Sequence, residues 1–363
     1  MKKKIWLGIP VILWCALCLF AWFSPAKALS TAERRPLAQM PEISAQALLS
    51  GSFMEQFDDF AVDQFPLRDT FRTGKALFSR HVFRQKDNNG IYDTQGHLAK
   101  LEPLNTVSIN YALGRFQNIY ENYLQDTDCK IYAAVIPDKG YYLAAQNGYP
   151  AMDYAQLFTV VKEGMPWAET LHLTDCLAIQ DYYTTDTHWR QERLVPVAQK
   201  LCNAMGVASP AEQDFAPSLA SGQFYGVYYG QSALPVAPDD LFVMESETIK
   251  NCRVYNYETK AYQPIYDLEK LSGSDPYEVF LSGAQALLTM ENPNAHTERE
   301  LVIFRDSFAS SLAPLLTGGY KKVTLVDIRY IHSALLGEYL NFDTQDVLFA
   351  YSTTILNNSS TLK

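Results

Sequence analysis

Two short polar segments carry the residue types that nucleophilic catalysis requires. The first is Asp186-Thr187-His188-Trp189, which follows a polar run and precedes a predicted helix. Alternate side chains of an extended segment point the same way, so Asp186 and His188 are expected to face one site. A carboxylate there can hold the imidazole in one tautomer and stabilise its protonated form. Both residue types also bind metals and often form simple loop hydrogen bonds, so this segment alone leaves those alternatives open.

The second segment is Arg305-Asp306-Ser307-Phe308, which lies between a predicted apolar strand and a predicted helix. Open α/β sheets bind ligands at the carboxyl ends of their strands, and a helix start supplies backbone N–H groups that can stabilise an oxyanion. The hydroxyl of Ser307 is a weak nucleophile unless a base takes its proton, and His188 is the candidate base. An Asp-Ser pair after a strand is also a common helix cap, and that simpler interpretation stays open.

Alternating apolar strands and amphipathic helices predict the scaffold that positions these segments. Strand, helix and strand at this spacing indicate an α/β fold with a parallel sheet flanked by helices. Residues 206–298 are less periodic and are predicted to form irregular structure and short strands laid over the sheet. The predicted strands cover residues 130–136, 301–304, 323–327 and 347–351, and the predicted helices cover residues 45–78 with a break at Pro66, 104–124, 154–165, 190–205 and 310–316.

The amino terminus carries a targeting signal. Three lysines precede an uninterrupted apolar run at residues 5–23, which is about the length that spans a bilayer as a helix. Ala26-Lys27-Ala28 also fits a signal-peptide cleavage site. We therefore predict a signal anchor or signal peptide over residues 1–28, a linker over 29–44 and a catalytic domain over 45–363. The expected location is the cell membrane, single-pass with an extracytoplasmic domain, or outside the cell after cleavage.

Composition excludes some classes of protein. The 363 residues are 48% hydrophobic, so a folded core is expected, and the net charge of −10 without a basic stripe argues against a nucleic-acid partner. No further histidine or cysteine ligands occur at recognisable spacing, so neither a metal nor a cofactor is predicted. Four of the six cysteines lie outside the apolar run, and the sequence leaves open whether Cys129, Cys176, Cys202 and Cys252 form disulfides or stay free.

The two polar segments together resemble the DHHW family, with Thr187 in place of the first histidine of the family name. That family is similar to the alginate O-acetyltransferases of the AlgX and AlgJ kind, whose SGNH-hydrolase-like fold has a permuted motif order. The resemblance implies that Asp186 is the acid, His188 the base and Ser307 the nucleophile. Further similar segments are Glu33-Arg34-Arg35-Pro36-Leu37-Ala38, Asp63-Gln64-Phe65-Pro66, Arg68-Asp69, Pro137-Asp138-Lys139, residues 222–229, Asp275-Pro276-Tyr277 and Asp327-Ile328-Arg329-Tyr330.

The resemblance also implies a function and a set of contacts. We expect an extracytoplasmic serine acyl-ester enzyme, an O-acetyltransferase or an acetylesterase, that acts on a secreted or cell-wall polysaccharide. A membrane-bound O-acyltransferase is the expected acetyl donor, and Arg305, Trp189 and Tyr277 are the expected substrate contacts. Arg305 stands where the family has glycine, so it could narrow the pocket, bind an anionic sugar or mark a catalytically inactive glycan-binding module. Metal-dependent phosphoester hydrolysis is a third alternative.

Overall fold

The computed structural model describes residues 10–12, 14–30 and 32–363 in full, and the helical backbone alone of residues 2–9 and 13. The chain divides into two units. One comprises Met1–Asn89 with Tyr229–Val236, and the other comprises Gly90–Tyr228 with Ala237–Lys363. All residues of the predicted catalytic segments lie in the second unit.

The first unit is mainly helical. Ser44 begins its second helix by accepting a hydrogen bond from Ala47 N, and the third helix ends before Pro66, as predicted. Asp63, at the end of that third helix, accepts both guanidinium N–H groups of Arg35 at 2.7 and 2.5 Å. This pairing ties the segment predicted as a linker to the helix. The elements are α1 (Lys2–Phe23), β1 (Leu29–Ser30), β2 (Arg35–Pro36), α2 (Ala45–Ser50), α3 (Ser52–Asp63), α4 (Arg68–His81) and β3 (Asp87–Asn88).

The predicted membrane-spanning helix at residues 5–23 falls within α1. Among the residues that the structure describes, no helix is long and apolar enough to cross a membrane. Residues 5–9 and 13 of the predicted span lie outside those whose side chains are described. The transmembrane helix in the predicted fold is therefore not found among the described residues.

The rest of the chain supplies the strands and helices of an α/β fold. The strands are β4 (Ile91–Thr94), β5 (His97–Lys100), β6 (Lys130–Ile136), β7 (Glu169–His172), β8 (Ala216–Phe224), β9 (Asp239–Glu245), β10 (Arg253–Asn256), β11 (Ala261–Gln263), β12 (Leu287–Glu291), β13 (Glu300–Arg305), β14 (Lys322–Val326) and β15 (Asp346–Ser352). The helices are α5 (Thr106–Ile119), α6 (Lys139–Leu143), α7 (Tyr154–Gly164), α8 (Val195–Met205), α9 (Val227–Ser232), α10 (Glu247–Asn251), α11 (Phe308–Leu316) and α12 (Thr353–Asn357).

A large, mostly parallel sheet forms the centre of the second unit. Its eight strands lie in the order β11-β10-β12-β14-β13-β15-β6-β7. The strands from β14 to β7 run parallel to their neighbours. The four predicted strands are β6, β13, β14 and β15, so the prediction of an α/β fold with a parallel sheet is confirmed.

Both faces of the sheet are covered by helices. Alternate residues of β13 point to opposite faces, so Leu301 and Ile303 belong to one buried cluster, whereas Val302 and Phe304 belong to another. The first cluster contains α8 and α11, and the second contains α5, α7 and α12. Each fully buried aliphatic side chain of this kind contributes about 2 kcal/mol of hydrophobic free energy. The covered faces leave the carboxyl edge of the parallel strands as the place for polar chemistry.

Residues 206–298 differ from the prediction. They were expected to lie over the sheet, but β10, β11 and β12 instead extend it in its own plane by antiparallel pairing at β14. These strands are three to five residues long and are separated by turns, so their apolar periods are too short to be recognised in the sequence. The helix predicted from residue 190 begins at Val195, and Pro196 occupies its first turn, where no backbone N–H is needed.

Candidate active site

A tight hairpin presents Asp186 and His188. Tyr182 and Trp189 pair across it as an antiparallel bridge, and Tyr183 N donates to His188 O at 3.1 Å. The residues between bend sharply, so the expected extended segment is wrong. Instead, Asp186 Oδ1 accepts a hydrogen bond from the backbone N of His188 at 3.0 Å, as an aspartate does in a local turn. The same oxygen lies 2.5 Å from His188 Nδ1.

Ser307 reaches this hairpin from the carboxyl end of β13. Its Oγ lies 2.7 Å from His188 Nε2, which completes a hydrogen-bonded chain from carboxylate to imidazole to hydroxyl. Asp186 and His188 are buried, whereas Ser307 is partly exposed. Ser307 occupies the position that caps α11, but within the described part of the chain its hydroxyl makes no capping bond. With Nδ1–H donating to Asp186, Nε2 is free to accept the serine proton.

Asp306 holds the turn that carries the serine. Its Oδ1 accepts from Phe308 N at 3.0 Å and its Oδ2 accepts from Ser352 N at 2.7 Å. These two bonds join the start of α11 to the end of β15, next to β13 in the sheet. The helix cap that the sequence suggested is thus made by Asp306, which leaves the hydroxyl of Ser307 to the histidine.

Gly226 and Val227 secure the second oxygen of Asp186. Val227 N donates to Asp186 Oδ2 at 2.8 Å. A Cβ added at Gly226 would lie 2.2 Å from the Cβ and 2.3 Å from the Cα of Asp186, so only glycine permits this approach. Sequence reasoning noted residues 222–229 only as a similar segment, because nothing local reveals which backbone they touch.

Tyr277 covers the imidazole. Its ring stacks on that of His188 with centroids 3.8 Å apart and planes inclined by 6°, and its hydroxyl lies 2.8 Å from Ser311 Oγ. Burial raises the pKa of Tyr277 well above its usual value, so the phenol stays neutral. Tyr277, which was predicted to contact substrate, is only 4% exposed, and its ring contacts the imidazole of His188.

Arg305 and Trp189 lie behind the hydroxyl–imidazole pair. The indole of Trp189 donates to Phe308 O and to Ser311 Oγ, each at 3.0 Å, and the side chain is fully buried. The guanidinium of Arg305 donates to Ser310 Oγ at 2.6 Å and is 1% exposed. Both predicted substrate contacts are thus buried and offer almost no surface to a ligand. A buried Arg305 also has no exposed atoms with which to narrow a pocket or bind a sugar.

Cysteine pairing and metal binding were both left open by the sequence. The six cysteines, all among the described residues, are free thiols. No three His, Cys, Asp or Glu side chains of the described residues are grouped so as to hold a metal ion. Ser307 lies at the start of α11, where backbone N–H groups without partners in the helix can stabilise an oxyanion.

The DHHW family model matches residues 177–326, a range that includes Asp186, His188 and Ser307. The predicted resemblance to the DHHW family is confirmed. The DHHW-like segment runs from the hairpin to the end of β14 and so contains both polar segments of the candidate site. No match to a curated protein was found.

Two solved structures share the fold, and a third aligns more weakly. A DHHW family protein from Eubacterium siraeum aligns with a TM-score of 0.61 and 20% identity over 76% of this chain and 95% of that one. Bacillus cereus PatB1 with a sulfonyl adduct aligns with a TM-score of 0.59 and 19% identity over 73% and 95%. The O-acetyltransferase domain of Pseudomonas putida AlgJ aligns with a TM-score of 0.45 and 12% identity over 74% and 92%.

Proposed function

We propose that this protein is a serine acyl-ester enzyme, an O-acetyltransferase or acetylesterase that acts on a secreted or cell-wall polysaccharide. The observation that carries the proposal is the chain of short contacts from Asp186 through His188 to Ser307. A buried carboxylate, an imidazole and a partly exposed hydroxyl in this order are the parts that acyl transfer through serine requires.

The proposed reaction has two steps. As Ser307 Oγ attacks the acyl carbonyl, His188 Nε2 takes its proton and Asp186 stabilises the imidazolium. The Oγ–C bond forms, the bond from that carbon to the donor oxygen breaks, and His188 returns the proton to the leaving alcohol. In the second step His188 deprotonates a sugar hydroxyl or water, which attacks the acyl-serine carbon. The bond from that carbon to Ser307 Oγ then breaks, and His188 returns the proton to Oγ. The backbone N–H of Ser307 stabilises the oxyanion in both steps.

Sequence resemblance supports the choice of acetyl group and polysaccharide. The segments quoted above resemble those of alginate O-acetyltransferases of the AlgX and AlgJ kind. The lysines and apolar run at the amino terminus support an extracytoplasmic location. A membrane-bound O-acyltransferase is the proposed acetyl donor.

A covalent probe tests the proposal. The full chain is treated with phenylmethylsulfonyl fluoride, and acetate release from 4-nitrophenyl acetate is measured before and after. We expect labelling and loss of activity in the unmodified chain and in Ser209→Ala, an exposed serine that serves as the control. Ser307→Ala and His188→Ala should neither be labelled nor release acetate above background. Equal activity in Ser307→Ala refutes the assignment, and absence of labelling in the unmodified chain favours the glycan-binding module.

A second measurement separates transfer from hydrolysis. The acetylated enzyme is mixed with an unacetylated oligosaccharide, and the acetyl group is followed into ester or free acetate. Transfer to the sugar identifies an O-acetyltransferase, and release to water alone identifies an esterase. The outcome depends on how well the bound acceptor excludes water from the acyl-serine.

A further inference from the structure

A buried lysine lies beside the candidate active site without a part in the reaction described above. Lys139, at the start of α6, is 1% exposed. Its Nζ donates to Tyr183 O at 2.9 Å and to Thr184 O at 3.1 Å. These carbonyls belong to the arm of the hairpin that leads directly into Asp186. A buried ammonium is costly unless its donors are satisfied, so the placement of Lys139 calls for a function.

Asp239, the first residue of β9, accepts hydrogen bonds from the backbone N–H groups of the same short segment. Its Oδ1 accepts from Thr184 N at 2.8 Å, and its Oδ2 accepts from Thr185 N at 2.8 Å and from Thr185 Oγ1 at 2.6 Å. Thr185 Oγ1 in turn accepts from Gly226 N at 2.8 Å. The peptide before Asp186 is therefore held by a cation at its carbonyls and by an anion at its N–H groups.

The charges around Lys139 include the candidate acid itself. Asp186, Asp239 and Asp138 are the carboxylates that interact with the ammonium. The charge of Lys139 also helps to lower the pKa of His97 in β5, after the larger effect of burial. The ring of Tyr228 in α9 lies 4.9 Å from Nζ of Lys139. Burial lowers the pKa of Lys139 to about 7, although the three carboxylates oppose that shift. A lysine in this state exchanges its proton within the pH range in which enzymes are assayed.

We propose that Lys139 and Asp239 are positioning residues that clamp the peptide Tyr183–Thr185 and thereby fix Asp186 and His188 against Ser307. This inference rests on the proposed function, because it assigns the clamp to the same acyl-transfer site. The clamp acts on Asp186 and His188 and not on the substrate, so its loss lowers kcat and leaves KM nearly unchanged. The effect passes through Asp186, so it is not additive with the loss of that carboxylate.

The test compares matched variants of the full chain. Lys139→Met keeps the length and apolar stem of the side chain but removes the charge, and Asp239→Asn keeps the shape of its side chain. Lys130→Met, an exposed lysine at the start of β6, is the control. We expect Lys139→Met and Asp239→Asn to lower kcat for 4-nitrophenyl acetate about 10- to 100-fold. In an Asp186→Asn background, Lys139→Met should lower kcat less than about threefold further.

The possible results distinguish failure of the clamp from failure of the proposed function. If Lys139→Met stays within about twofold of the unmodified chain while Ser307→Ala is inactive, the clamp is refuted and the proposed function stands. If Ser307→Ala keeps full activity, the proposed function itself is refuted. Full additivity with Asp186→Asn also overturns the proposal, because a merely structural lysine behaves in that way. If Lys139→Met does not fold, Asp239→Asn decides: a kcat at least about tenfold lower with KM nearly unchanged supports the clamp, and a kcat within about twofold of the unmodified chain overturns it.

Discussion

Replacement of Gly226 by alanine tests whether the close backbone approach beside Asp186 governs the site. The added Cβ would lie 2.2, 2.3 and 2.4 Å from the Cβ, Cα and N of Asp186, whereas ordinary contact begins at 3.4 Å. All three atoms belong to the hairpin itself, so no flexible side-chain end can move aside. The two segments must therefore separate by about 1 Å, a displacement that typically lowers a catalytic rate about 100-fold.

The same displacement breaks the bond from Val227 N to Asp186 Oδ2 and strains a packed region. We expect Gly226→Ala to lower the free energy of unfolding by about 1–3 kcal/mol, as overpacking does. The assay is kcat for 4-nitrophenyl acetate together with the melting temperature of the full chain. Because the hairpin carries Asp186 and His188 together, loss of activity should exceed what partial unfolding at the assay temperature explains.

Gly114 provides the control for this substitution. It lies within α5, and a Cβ added there meets nothing within 4 Å. Gly114→Ala should leave kcat unchanged and raise stability by about 0.5–1 kcal/mol, because alanine is the better helix former. If Gly226→Ala retains kcat and melting temperature within error of Gly114→Ala, the steric reasoning is refuted.

Two further predictions concern aromatic stacking and acid stability. Tyr277→Phe keeps the ring on His188 but loses the contact with Ser311 Oγ, so we expect kcat within about threefold of the unmodified chain. Tyr277→Ala frees the imidazole and should lower kcat at least about tenfold. Equal rates for the two variants would contradict a role for the ring. In the first unit, the hydrogen bond from Arg35 lowers the pKa of Asp63 from 3.8 to about 2. The folded pKa is depressed, so this pair contributes stability that is fully present above pH 3.8 and is lost as pH falls towards about 2. Asp63→Asn should weaken the acid dependence of urea unfolding between these values, and an unchanged dependence would argue against the pair.

The sequence predicted the parts of the molecule whose signals are local. Strands β6, β13, β14 and β15 are short apolar runs bounded by polar residues, and burial on both faces produces that pattern directly. The serine after β13 could be located because a parallel sheet places the ends of its strands at one edge. Asp186 and His188 were paired correctly in space, although the turn that joins them is not the extended segment expected.

Contacts between segments that are distant in the chain could not be predicted from the sequence. Gly226 and Asp239 are as far as 41 and 55 residues from their hydrogen-bond partners in the hairpin, and neither carries a periodic pattern. Arg305 was predicted to contact substrate because it stands where the family has glycine, yet here Ser310 and Gln285 accept its N–H groups in the interior. Strands β10 to β12 were expected only as short strands laid over the sheet, because runs of three to five residues are too short to show a clear period.

Ser311 links the two halves of the candidate catalytic machinery. Its hydroxyl receives the indole N–H from the hairpin and touches the phenol stacked on the imidazole, while its backbone belongs to the helix that follows Ser307. These contacts tie the hairpin that carries the base to the helix that follows the nucleophile. Such ties favour retention of the 2.7 Å contact between His188 Nε2 and Ser307 Oγ. Trp189 therefore joins the hairpin to the helix through its indole N–H.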